Sequence, residues 1–128
     1  MLNRSGVVKS TYAATKQILA NVDLQSSIGC IVPQSLGVTV GSKKIAKAGT
    51  PIKVDLLNVN NVAVKADGTT PLNAVLLHDV DVTAGNANGT ALIFGFVNVN
   101  RVDSDVAAAI TTAAAAANRS TLITFLKV

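Results

Sequence analysis

The sequence predicts a small, mainly β domain of the α+β kind, with one alanine-rich helix near its C-terminal end and an extended N-terminal arm. Three observations carry this. The stretch from Asn73 to Asn100 holds two aliphatic runs, Ala74 to Val82 and Ala91 to Val99, around a polar cluster of Gly85, Asn86, Asn88 and Gly89, which reads as strand, loop, strand. After Arg101 the apolar spacing changes to every fourth residue, at Val102, Val106 and Ile110. The chain has no Trp, one Tyr and three Phe, so its core has to be aliphatic.

Taken in order, residues 1–48 read as an arm laid over or beside a domain of residues 49–128. Ala13 to Val22 suits a short helix, with Thr11 as N-cap and Ile18, Leu19 and Val22 on one side. Ile28 to Val40 is interrupted by Gly29, Pro33 and Gly37, which suits extended segments at a sheet edge. Gly41 to Lys44 reads as a turn or hinge. In the domain, Thr50-Pro51 opens a strand, Ile52 to Leu57, in which Ile52, Val54 and Leu56 alternate with Lys53, Asp55 and Leu57. Asn58 to Asn61 is a turn. Val62 and Val64 belong to a short strand that ends at Asp67-Gly68, a strong turn dipeptide.

In the central pair, period two puts Leu76, His78, Val80 and Val82 on one face and Leu77, Asp79, Asp81 and Thr83 on the other. Leu92, Phe94 and Phe96 then oppose Ile93, Val97 and Val99, so the second strand is apolar on both faces and is expected to be covered on both. The helix starts at Asp103 or Ser104 as N-cap, with Asp105 favouring the dipole, and runs through Ala113 to Ala117 before Asn118 stops it. A last strand, Leu122 to Val128, sets Ile123 and Phe125 against Leu122, Thr124 and Leu126.

At 128 residues the chain suits one domain, and charged residues form only 14% of it, with no Glu. The net charge of +4 is uneven: residues 1–53 carry +6 and residues 54–128 carry −2. A basic arm points to an acidic partner, nucleic acid or a protein surface; its dispersed charges and the scarcity of aromatic residues favour protein. No run of about 18 apolar residues is present to cross a membrane. The start, MLNRSGVVKSTY, lacks the apolar core of a signal peptide, so a protein that stays inside the cell, at least initially, is expected.

Enzyme templates fit poorly. His78 is the single histidine; Asp79 and Asp81 share a face, but His78 points to the opposite one, and no Glu or second His is present to complete a metal or acid/base site. A solvated or structurally bonded role suits these three. GNANG precedes a strand and lacks the Lys-Ser or Lys-Thr of a phosphate loop. Cys30, the one cysteine, sits in SIGCIVP as a buried, inert thiol. The expectation is a protein without enzymatic activity, cofactor or metal, whose work is done by surfaces.

A Thr50-Pro51-led strand, a short strand ending at the Asp67-Gly68 turn, the Ala74-Val75-Leu76-Leu77 segment, and the runs LLHDVDVTAG and ALIFGFVNVNRV together resemble the head-decoration proteins of tailed phages, the lambda-like decoration family. The resemblance covers residues 49–102. It implies a β-clip-like domain forming homotrimers at three-fold and quasi-three-fold positions on the outer capsid surface of the virion, made in the host cytoplasm and cementing major capsid protein subunits. It also implies an N-terminal segment that joins a capsid sheet. On this reading Val7, Val8, Ile31, Val38 and Val40 supply apolar contacts, and Lys9, Lys43, Lys44 and Lys47 meet acidic patches. Another virion component, such as a head fibre base or tail adaptor, and a nucleic-acid-binding module remain as alternatives.

Overall fold

The second aliphatic run becomes the strand on which the others assemble. The computed structural model describes residues 17–116 and 118–128. Along them lie β1 (Ser26–Val32), β2 (Val38–Val40), β3 (Lys43–Ala46), β4 (Pro51–Lys53), β5 (Val64–Lys65), β6 (Ala74–Leu76), β7 (Val80–Asp81), β8 (Ala87–Asn98), α1 (Ser104–Ala114) and β9 (Ile123–Leu126). The larger sheet has the order β9-β8-β6-β4-β5, with β1 also on β8; the smaller has the order β2-β3-β7. All pairs are antiparallel except β9, which runs parallel to β8 from Ile123 opposite Gly95 to Leu126 opposite Asn98. The described residues are mainly β with one α-helix, as the sequence predicts.

Two aliphatic clusters lie on the two faces of β8. One joins the sheets, with Val32, Ile52, Leu76 and Ala91 from the larger and Ala46, Val80 and Val82 from the smaller and its flank. The other packs Leu92, Val97, Val75, Ile18 and Ile123 against Ala113 of α1. β8 is thus covered on both faces, but not by the expected alternation. Ser26 pairs with Phe94 and Ser27 with Leu92, which leaves Ile93 as a bulge. One extra residue exchanges the faces of everything after it. Val97 therefore shares a cluster with Leu92, while Ile93 packs on the cluster of Ala91. Gly95 follows the bulge at φ 154°, where a side chain would be strained.

The expected strand from Ala74 to Val82 is divided. β6 belongs to the larger sheet and β7 to the smaller, because the chain crosses between them at 77–79. The crossing is held from both ends: Gly49 N–H donates to Leu76 O at 2.7 Å, and Ala48 N–H to Asp79 Oδ1 at 2.7 Å. The loop expected at 85–89 is also shorter, since β8 already begins at Ala87. Gly89 lies within the strand; a Cβ there would come 2.6 Å from Val32 Cγ2 and 3.1 Å from Val80 Cγ2, so its lack of a side chain lets β1 and β7 close over it.

The division into arm and domain at residue 48 runs through the core. β1 lies along β8, β2 and β3 build the smaller sheet, and Cys30, Val32, Leu36, Ile45 and Ala46 are buried. The helix expected over 13–22 is not present in its described part. Leu19 instead bridges Val97, with Ala20 N–H donating to Phe96 O and Asn98 N–H to Ile18 O. Tertiary pairing with an exposed β edge overrides local helix preference there. Thr11 and residues 13–16 lie outside the described residues. α1 keeps the expected start, with Asp103 at the N-cap, but ends at Ala114, before Asn118.

Candidate interaction surface

Among the described residues the most exposed aliphatic side chains lie between β4 and β5, and the local bonding explains why. β4 stops at Lys53 because the Asn73 side chain takes the place of a strand: its Oδ1 accepts from Val54 N–H at 2.9 Å and its Nδ2 donates to Val54 O at 2.8 Å. Asp55 then closes a turn, its side chain accepting from Leu57 N–H and its carbonyl from Asn58 N–H. Asn58 Oδ1 accepts from Asn60 N–H at 2.9 Å. Short polar side chains thus satisfy the loop backbone locally, and no sheet is needed to cover its leucines.

The chain returns at Val62, which bridges Ile31: Ile31 N–H donates to Asn61 O and Ala63 N–H to Ile31 O, both at 2.9 Å. Ala63 points inward at 1% exposure, so period two turns Val62 and Val64 outward, the reverse of an apolar-inward strand. Leu57 is 98% and Val59 96% exposed, with Leu56, Val62 and Val64 about half exposed. Together these side chains leave aliphatic surface open on the loop and the strand that follows it. The sequence sign of it was Leu56-Leu57 beside an asparagine-rich turn: two adjacent leucines in a turn cannot both face one core.

Two open clefts flank the loop. One, of about 580 Å³, lies between the loop and β1, with Ile31, Leu56, Val59 and Asn61 among its walls; the other, of about 660 Å³, includes Val54, Leu56, Val62 and Val64. Asn61 is 4% exposed, and its Oδ1 has no hydrogen-bond partner. A buried acceptor left unpaired costs about 1–3 kcal/mol, which makes it a mark of a position awaiting a donor.

The contact residues expected from the sequence fall in three places. Val7, Val8 and Lys9 lie outside the described residues. Val38 and Val40 sit on β2, an edge strand, and are 40% and 45% exposed; Lys43 is exposed beside Asp81 at 3.8 Å, and Lys44 is half-buried, with its N–H donating to Thr83 Oγ1. Ile31 belongs to the other sheet, in the wall of the cleft beside the loop. Lys47 is not directed at an outside surface: it lies 3.2 Å from both Asp103 and Asp105 and ties the start of α1 to the end of β3. Although burial works against its charge, the bonds to Asp103 and Asp105 raise its pKa.

His78 is exposed at the crossing between sheets, and the break there means that Asp79 and Asp81 do not share a strand face. Asp79 braces Ala48, and Asp81 accepts from the Thr83 hydroxyl and N–H, which hold its carboxyl below the usual value. Burial pushes the Cys30 thiol up, away from the reactive thiolate. Among the described residues no group of three or more His, Cys, Asp or Glu is placed to hold a metal ion, and no helix is long and apolar enough to cross a membrane. Neither a known protein family nor a curated protein matches this chain.

Proposed function

We propose that this protein decorates the outer surface of a tailed-phage head, where as a homotrimer it binds adjacent major capsid subunits and holds them together. The observation that carries this reading is the aliphatic surface left open on a small, otherwise well-packed domain: Leu57 and Val59 at the loop, with Val38 and Val40 on an edge strand. Surfaces of that chemistry bind protein, and cementing requires no reaction, only favourable contact repeated in many copies. The resemblance of residues 49–102 to decoration proteins supplies the partner. On this reading Val38, Val40, Lys43 and Lys44 meet the capsid, and the segment holding Val7, Val8 and Lys9 adds to a capsid sheet.

Co-sedimentation with expanded, undecorated heads of the phage that encodes it tests the proposal. Saturable binding near one copy per capsid subunit is expected, and it should persist at high salt because apolar contacts are not screened. Absence from heads, or presence only at one vertex or in the tail, would overturn decoration in favour of another virion role.

A further inference from the structure

The loop between β4 and β5 is a knob set between two hollows. Leu57 and Val59 stand almost wholly exposed, and Leu56 belongs to the walls of both flanking clefts, so one aliphatic surface runs from cleft to cleft over the loop. The larger cleft has Val54, Leu56, Val62 and Val64 in its walls. Lys53 and Asp55, also in that cleft, are the charged residues among the described lining of the two. Lys53 lies opposite Val64 in the pairing of β4 with β5, and both are exposed on the outer face of the sheet. A knob beside a hole of the same chemistry, with one charge of each sign at the rim, is a surface complementary to itself.

We infer that copies of the chain meet here, the loop of each seated in the Val62 and Val64 cleft of the next. Charge selects a second copy over a foreign partner. An incoming loop brings its own Asp55 toward Lys53 of the cleft, whereas a strongly acidic or basic partner would set a like charge against one of the two. Area supports the same choice. Leu57 and Val59 almost entire, with half of Leu56, Val62 and Val64, present roughly 400 Å² of apolar surface. Because a little over half of an ordinary interface is apolar, that corresponds to about 700 Å² per copy, close to the roughly 800 Å² per partner of a stable complex. A contact in which loop meets cleft is head-to-tail, and it closes as a ring. The inference supplies the contact for the homotrimer proposed above and rests on that reading for the number of copies alone. It leaves Val38 and Val40, on the edge of the smaller sheet, for the capsid.

Sedimentation of the full-length protein over a range of concentrations tests it. A contact of this size is expected to hold an oligomer at about 100 μM and to release single chains near about 1 μM. Leu57→Asp and Val64→Asp each put a charge into the contact and should leave the protein monomeric at the higher concentration, whereas Val40→Asp on β2 should not. Thermal unfolding at the lower concentration checks that each variant is folded, and Val59→Asp replaces one that is not. With the buried Cys30 left in place, one batch carries Leu57→Cys and another Val64→Cys. After mixing and mild oxidation, a disulfide between the two kinds of chain should exceed that within either batch at least about tenfold, as docking raises the effective concentration. A wild-type monomer at the higher concentration, or an oligomer that survives the aspartates, would overturn the inference. So would Leu57→Cys chains that pair mainly with one another, since loop would then meet loop. An oligomer with the expected properties that fails to sediment with heads would uphold this contact and overturn the decoration reading alone.

Discussion

Two stretches of nearly the same composition meet opposite fates. Leu57-Asn58-Val59-Asn60-Asn61 and Val97-Asn98-Val99-Asn100 both alternate valine or leucine with asparagine. In β8 and its end, Val97 is fully buried, and Asn98, 3% exposed, accepts from Asn100 N–H and Val128 N–H while its Nδ2 donates to Val128 O. In the loop, Val59 is 96% exposed, whereas the buried Asn61 keeps an unpaired Oδ1. The difference lies in the neighbours. β8 has Leu19 and β9 beside Val97, whereas Asn73 ends β4 before the loop can join a sheet. An aliphatic residue is buried when a partner surface is available within the chain; where none is, it stays exposed.

The largest effect expected on this contrast is from truncation. Removing residues 1–44 takes away β1, β2, part of β3 and Ile18, Leu19, Cys30 and Val32 from both clusters, so cooperative unfolding should be lost by calorimetry, whereas removing residues 1–16 should retain it. Next, Leu92→Ala in the fully buried strand should cost about 2–5 kcal/mol in denaturant unfolding, and Leu57→Ala within about 0.5 kcal/mol. If Leu57→Ala destabilised as much as Leu92→Ala, the loop would be part of the fold and not a surface for a partner. Asn98→Leu, which strands the groups it now bonds, should cost about 1–3 kcal/mol, while Asn61→Leu, which removes the orphan oxygen, should be neutral or stabilising.

The smallest expected effect is in acid. Asp67, which accepts from Thr70 N–H and then Thr69 N–H, and Asp81, bonded to the Thr83 hydroxyl and then its N–H, both have carboxyls held below their ordinary value of 3.8. Their contribution is present above that value and is lost as pH falls through the lower folded-state values. A thermal midpoint that is flat above pH 3.8 and declines below it is expected, with Asp67→Asn and Asp81→Asn each flattening the decline.

Much of this architecture was legible in the residues. Ile52, Leu76, Leu92, Val97 and Ile123 read as strand core and are buried, the Asp67-Gly68 turn is where the dipeptide places it, and Val106 and Ile110 face inward from α1. These follow from short-range rules: side-chain alternation, helical period, and the hydrogen bonds a short polar side chain makes to its own backbone. Of the residues expected to make contacts, Val38, Val40 and Lys43 are exposed, Ile31 lies in the other sheet and Lys47 is engaged by Asp103 and Asp105.

Tertiary structure alone decided the rest. Local pattern cannot register one extra residue opposite a partner strand, so the bulge at Ile93, which moves Val97 to the face of Leu92, was invisible along the chain. Nor could it show that residues 26–46 complete both sheets, because each of those short, glycine-interrupted segments is a strand only by virtue of the edge it meets. Composition and spacing determined which residues seek burial and which close turns. Which of them found a partner within the chain, and which were left exposed at Leu57 and Val59, was decided by long-range pairing, whose free energy depends on residues far apart in sequence.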